Sequence, residues 1–438
     1  MHKRNRALAW LPTLGLLAAA LLLAAIFRFL GRQQDLAHRV PEFIALSLLA
    51  GAVYVAAAYL TQKFPFGLVA LIIILGGTLA FRLFVLPLSP TISGDVYRYQ
   101  WEGRVQRLGI NPYTVFPAAP GLADLQDPDH PLEGGSRTPT LYPPLSEFSF
   151  SWVETVQGYK RLYAGLDLVS VVVLLLLLAA RKQPLHRVLI YAWNPTVVVS
   201  FAMSGHHDSL AILTLLASIL FIIGRRAGLS IAFLALSFLA KFFAGLLLPV
   251  FLSFLKRARW AYAGLFAALV VLAYLPYAGA GSRLLDGLHQ YAAGWEGNDS
   301  LFRLVQLAGN SKPQAYLVAG VMVVGIVAFV LNQRMEPLRA GLVLTSGLLL
   351  LSPNAFPWYF TWTVPFLCFY PSAPWLLMTV TCVLGYAPVV AYAAGQPYVD
   401  SPFILGLEYT PVYFWLAREA WRLARGGHEA QEGQSLSC

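Results

Sequence analysis

Asp95, Arg98, Tyr99 and Glu102 stand at offsets of three and four within the segment Ser93-Gly-Asp-Val-Tyr-Arg-Tyr-Gln-Trp-Glu-Gly-Arg-Val-Gln106. On a helix those offsets share one face, so two carboxylates, a guanidinium and a phenol would point the same way. A carboxylate held there can take a proton from an attacking hydroxyl as a general base. The same residues suit a plainer role, with Asp95 capping the helix and Arg98 or Arg104 as its ion-pair neighbour. One carboxylate can serve both. Gly109 and Pro112 follow as stop signals, and Tyr97, Tyr99 and Trp101 suit a membrane-water boundary, so a short interfacial helix is expected.

Further polar clusters interrupt apolar sequence: Ser204-Gly-His-His-Asp208, Lys241, Trp295-Glu-Gly-Asn-Asp-Ser300 and Ser352-Pro-Asn-Ala-Phe-Pro-Trp358. A lysine in an apolar run is costly and needs a partner or a path to water. Lys241 therefore binds an anion, snorkels toward headgroups, or pairs with a carboxylate such as Asp208. Adjacent histidines rarely face one ion, and no second cluster completes a zinc set. His206, His207 and Asp208 are thus expected to contact substrate or cap a helix rather than hold metal. Tyr142 before Pro143 and Pro144, and Asn354 before Trp358 and Tyr359, offer groups suited to sugar hydroxyls and ring faces, or simply to helix starts and an aromatic belt. The stretch with Asp124, Asp127, Asp129 and Glu133 lacks the glycine and terminal glutamate positions of a calcium loop and reads as a solvated acidic loop.

What must position these groups is a chain of 438 residues, 58% hydrophobic and 12% charged, with mean hydropathy +0.63. Such usage makes the bilayer its solvent. The net charge of +10 sits at the ends of apolar segments, as topology signals do, which argues against nucleic-acid binding. Cys368, Cys382 and Cys438 have neither metal-ligand spacing nor disulfide density and read as packing residues. The first apolar run, 7–30, exceeds a signal-peptide core and is expected to stay as an anchor. Apolar runs predict roughly 12 to 14 transmembrane helices.

Basic loops set the expected orientation. Lys63, then Arg181, Lys182 and Arg187, then Arg225 and Arg226, then Lys256, Arg257 and Arg259, then Arg334 and Arg339, and finally Arg418, Arg422 and Arg425 fall on one side. That holds only if 228–255 is two short helices meeting at Lys241 rather than one long helix. The expectation is an integral cytoplasmic (inner) membrane protein with both termini in the cytoplasm. One multi-span domain would cover 1–425 and a short disordered tail 426–438. The loops at 89–160, 204–207, 279–313, 352–356 and 395–401, with their polar clusters, would then all be extracytoplasmic.

Asp95-Val-Tyr-Arg-Tyr-x-Trp-Glu-Gly-Arg-Val, followed by Gly109-Ile-Asn-Pro-Tyr113 and Leu141-Tyr-Pro-Pro144, resembles the polyprenyl-phosphate-sugar-dependent glycosyltransferases of the GT-C superfamily, especially bacterial mannosyltransferase-like members. The later clusters resemble further landmarks of that group in the same order, over 65–362. The resemblance implies an all-α, GT-C-like membrane bundle whose large first extracytoplasmic loop, 89–160, is catalytic. It implies inverting transfer of a hexose, mannose above all, from a polyprenyl phosphate to a lipid or glycan hydroxyl, with no metal or other cofactor. The family's acidic base maps to Asp95. A leaving phosphate needs cations, and Lys241, Arg98, Arg104 and Arg303 are available. Glu102, Tyr142, His206, His207, Asp208, Asn298, Asn354 and Trp358 are the expected substrate contacts. The rival readings are a multi-span transporter or lipid flippase, which would show two related halves, and a GT-C enzyme acting on lipid A or protein.

Overall fold

The computed structural model describes residues 2–130, 132 and 135–435. Glu133 of the acidic loop and Cys438 lie outside them, as do the side chains of Arg257, Arg422 and Arg425. The described residues form helices and loops without a strand, apart from two isolated bridges. The order begins α1 (His2–Leu30), α2 (Val40–Lys63), α3 (Leu68–Val85), α4 (Asp95–Arg107), α5 (Pro144–Ser151) and α6 (Val156–Ala180). It continues through the short α7 (Leu189–Ala192) and α8 (Pro195–Val198) to α9 (Asp208–Ile223) and α10 (Ala227–Ala240).

Seven helical segments among the described residues are long and apolar enough to cross a bilayer, and a pair bent by 118° between Met203 and Asp208 makes an eighth. Three further apolar helices, Ala227–Ala240, Phe242–Phe254 and Pro337–Leu351, fall below the length that spans alone, the first two being the short pair expected around Lys241. The run at 357–370 is two brief turns, Pro357–Trp362 and Val364–Leu367. Apolar composition reports burial in lipid or in protein equally, so it does not by itself separate full crossings from helices broken inside a bundle. The last helix, Pro402–Ser435, carries helical backbone past residue 426, where a tail was anticipated.

At one end the turns after α2 and α6 meet, and the latter also reaches the start of the helix Pro337–Leu351. Arg181 Nη2 lies 2.5 Å from Glu336 Oε2, Tyr370 donates its hydroxyl to Glu336, and His186 Nε2 lies 3.1 Å from the Thr61 carbonyl. Four cations of the basic loops also shape the backbone, since Lys182, Arg225, Lys256 and Arg334 adopt φ of 53°, 58°, 44° and 49° just after a helix. That left-handed corner ordinarily falls to glycine. A cation there sits beside the last helix carbonyls, where the dipole favours it.

At the other end α4 lies on α5 and α6. Gly103 permits this, because a Cβ there would come within 2.3 Å of the Phe150 carbonyl. Between the ends, Arg82 on α3 and Asp167 on α6 form a buried ion pair at 2.5 Å, and Arg82 also donates to the Ala192 carbonyl at 2.8 Å. Removing one partner strands a charge, so Asp167→Ala is expected to cost about 3–5 kcal/mol of stability. Replacing both residues by leucine should recover most of it. Thermal unfolding in detergent measures both, and an Asp167→Ala protein as stable as wild type would show that the pair braces nothing.

Candidate active site

Helix α8 continues into one π turn, Val199–Met203, and the chain then breaks at Ser204 and Gly205. Gly205 has φ 75°, and a Cβ there would lie 3.0 Å from the Lys160 side chain, so glycine suits the corner. The corner delivers His206, His207 and Asp208 in succession, all fully buried.

The three side chains diverge. His206 Nδ1 lies 3.5 Å from Asp95 Oδ2, and its ring stacks on Trp358 at 4.1 Å. Neither ring nitrogen of His206 makes a hydrogen bond among the described residues. His207 Nδ1 lies 3.1 Å from the Tyr99 hydroxyl, with its ring edge-on to Tyr99, Tyr142 and Phe150. Asp208 Oδ1 accepts from Trp362 Nε1 at 2.8 Å and lies 3.3 Å from Lys241 Nζ. Lys241 itself is extended (φ −158°, ψ 127°) at the end of α10, as the two-helix reading requires, and its ammonium stands 4.8 Å over the Tyr359 ring.

Gly94, not Ser93 or Asp95, is the N-cap of α4, and it makes no side-chain bond. Asp95 therefore opens the first turn without capping it, and Arg98 does not pair with it. Its side chain is 38% exposed, whereas those of Glu102 and Asp208 are 0% exposed. Asp95's charge still reaches inward: the Tyr142 hydroxyl is pushed well up by burial first and by that carboxylate next.

The anticipated phosphate cations divide. Arg98 donates to Glu102 Oε1 at 2.7 Å and to the carbonyls of Gly135 and Thr138 at 2.9 and 2.8 Å, with its guanidinium over Trp101. Arg104 donates to the Leu125 carbonyl at 2.8 Å. Both clasp the long loop, so phosphate binding is not the role their geometry supports. Arg303 pairs with Asp299 at 3.0 Å. Asn298 (φ 52°) donates to the Ala355 carbonyl and Glu408 Oε1, both at 2.8 Å, and Asn354 donates to the Trp295 carbonyl at 2.9 Å. Those amides sew 295–300 to 352–356. Glu102 is fully buried against Arg98 beneath the same loop. Among the described residues, no group of three or more His, Cys, Asp and Glu side chains is arranged to hold a metal ion.

Residues 14–257, more than half of the chain, match the model of the alpha-(1->6)-mannopyranosyltransferase N-terminal domain. The chain belongs to this family. No curated protein matches it. It is a multi-pass membrane mannosyltransferase, taking a sugar donor and a glycan or lipid acceptor, and the transporter reading gives way. The match begins ahead of residue 65, so it takes in the first spans, which the motif resemblance did not reach. It holds Asp95, His206, His207, Asp208 and Lys241, while Asn298, Arg303, Asn354 and Trp358 lie beyond it.

Sequence reasoning passed over Glu147 in the mannosyltransferase. It is buried in the first turn of α5, accepting from Thr140 Oγ1 at 2.5 Å and Gln106 Nε2 at 2.7 Å. Its position three residues after Pro144 was the available signal. Burial raises its carboxyl well above the usual range, and the Glu102 charge raises it further. Burial also raises Glu102, against the pull of Arg98. Two carboxyls in one dry space cannot both ionise readily, so the raised Glu147 carboxyl favours its protonated form. The folded state then binds more protons than the unfolded state, and stability falls as pH rises above the ordinary glutamate value. Glu147→Gln, neutral at every pH, should flatten the dependence of melting temperature on pH. An unchanged slope would mean the pair does not hold that proton.

Proposed function

We propose that this mannosyltransferase takes mannose from a polyprenyl phosphate on the extracytoplasmic face of the cytoplasmic membrane and passes it to a hydroxyl of a lipid or glycan. Asp95 acts as general base and Lys241 stabilises the leaving phosphate. The observation that carries the reading is the contrast among the acids: Asp95 opens outward at 38% side-chain exposure with His206 behind it, while Asp208 is closed in with Lys241.

The chemistry follows from that contrast. The acceptor hydroxyl adds to the anomeric carbon, Asp95 takes its proton, and the carbon-oxygen bond to the lipid phosphate breaks with its electrons on the phosphate. The leaving phosphate already carries negative charge and gains more as the bond breaks, so it needs a cation rather than an acid. Lys241 is held by Asp208 and the Tyr359 face, ready for that charge without reorganisation. His206 orients Asp95 and offers a partner for the proton once it has moved. No metal enters this scheme. The polyprenyl tail stays in the bilayer, and the basic end with Arg181 and His186 faces the cytoplasm.

Asp95→Asn keeps the size of the side chain and removes the base. It is expected to lower transfer from labelled polyprenyl-phosphate mannose at least about 100-fold while leaving donor binding and melting temperature unchanged. Full turnover would sink the assignment. Lys241→Met is best paired with Asp208→Asn, so that no buried charge is left alone. That double variant should lose roughly 100-fold or more in kcat through the missing phosphate contact. Retained kcat would remove Lys241 from the reaction.

A further inference from the structure

At the end of α3 remote from Asp95 lies a cavity of about 640 Å³, between the turn joining α2 to α3 and the turn at 184–187. Helix α3 has 18 residues, which puts about 27 Å of helix between the cavity and the loop that bears Asp95. Lys63, His186 and Arg187 line the cavity, and no acid does. Arg187 gives one nitrogen to Gln183 Oε1 at 2.9 Å, but its Nε is buried with no hydrogen-bond partner among the described residues. A buried guanidinium nitrogen without an acceptor is an unmet demand for an anion. The cavity walls are themselves secured, by the contact of His186 Nε2 with the Thr61 carbonyl at 3.1 Å and by Phe66 edge-on to the same imidazole. Gly67 caps α3 without a side-chain bond, leaving helix N–H groups and the positive dipole end at the cavity.

The exposed side chains name the occupant. Leu68 lines the cavity, and from it Leu68, Ile72, Leu75, Leu79 and Leu83 follow one another at helical spacing up α3, all exposed. A free anion has no use for that stripe, but a phospholipid whose headgroup fills the cavity can lay its chains along it. We infer that this cavity binds the phosphate of an anionic phospholipid headgroup. The site is separate from the catalytic one and requires only that α2 and α3 cross the membrane.

The test uses the full-length protein in neutral detergent, incubated with phosphatidylglycerol, phosphatidylcholine or inorganic phosphate and read by native mass spectrometry. Phosphatidylglycerol should be retained and phosphatidylcholine should not. Arg187→Gln with Lys63→Gln should weaken retention roughly 10-fold or more. Because Arg187 also holds Gln183, Lys63→Gln alone serves as the gentler variant, with about a five-fold loss expected. Equal retention of the two lipids, or undiminished retention in both variants, overturns the inference. Binding of inorganic phosphate with no preference for phosphatidylglycerol overturns the lipid as its source.

Discussion

The ion pair between Lys241 and Asp208, at 3.3 Å, is the contact on which the site depends. Each residue stands at a broken helix: Asp208 opens α9 and Lys241 closes α10. A carboxylate at a helix start and an ammonium at a helix end each answer the local dipole, and here the two also answer one another. Neither charge could stay alone among apolar helices. Because α9 and α10 pack along their length, the pair fixes both breaks at one level. Trp362 bonds to the same carboxylate oxygen and anchors the Pro357–Trp362 turn. That turn sets Trp358 against His206, and His206 stands against Asp95. The exposed carboxylate is thus positioned from beneath by a salt bridge it does not touch.

From above, the same helix is held by a loop that has little regular structure of its own. Arg98 and Arg104 reach from α4 to the carbonyls of Gly135, Thr138 and Leu125. Buried carbonyls in an irregular loop need donors, and a guanidinium supplies several in a fixed fork. Glu102 neutralises Arg98 from within, and Glu147 accepts from Gln106 and Thr140 beside it. The loop is therefore held by side chains of α4 and α5 as well as by its own backbone turns, such as Ala118 N–H to the Ser136 carbonyl.

Charge placement made the large features legible. The helix break at Lys241 follows from requiring Arg225 and Lys256 on one side, and the extended backbone there agrees. The interfacial helix at Asp95 and its stop before Gly109, at φ 76°, follow from local signals alone. The partner of Arg98 was not legible. Helical spacing offers Asp95 at minus three and Glu102 at plus four with equal plausibility, and the choice is made by distant carbonyls at 135 and 138. Asn298 and Asn354 share that limit: an amide in a polar loop looks the same whether it faces a sugar or another loop. The number of crossings is less legible, since lipid and protein interiors select the same residues and three apolar helices are too short to span alone.

Three acids close to one another in sequence or space thus have three distinct environments. Asp208 is neutralised by Lys241 and bonded to an indole, so its charge is committed. Glu102 is paired with Arg98 in a dry loop beside Glu147, whose carboxyl is held well above its ordinary range by burial. Asp95 faces outward beside an imidazole that has no hydrogen-bond partner among the described residues. A group that must accept a proton and later release it has to be reachable and uncommitted, and acid-base roles follow from environment more than from residue type. The first two acids are buried and paired while the third is open, and the imidazole behind it is itself fixed by stacking on Trp358 at 4.1 Å.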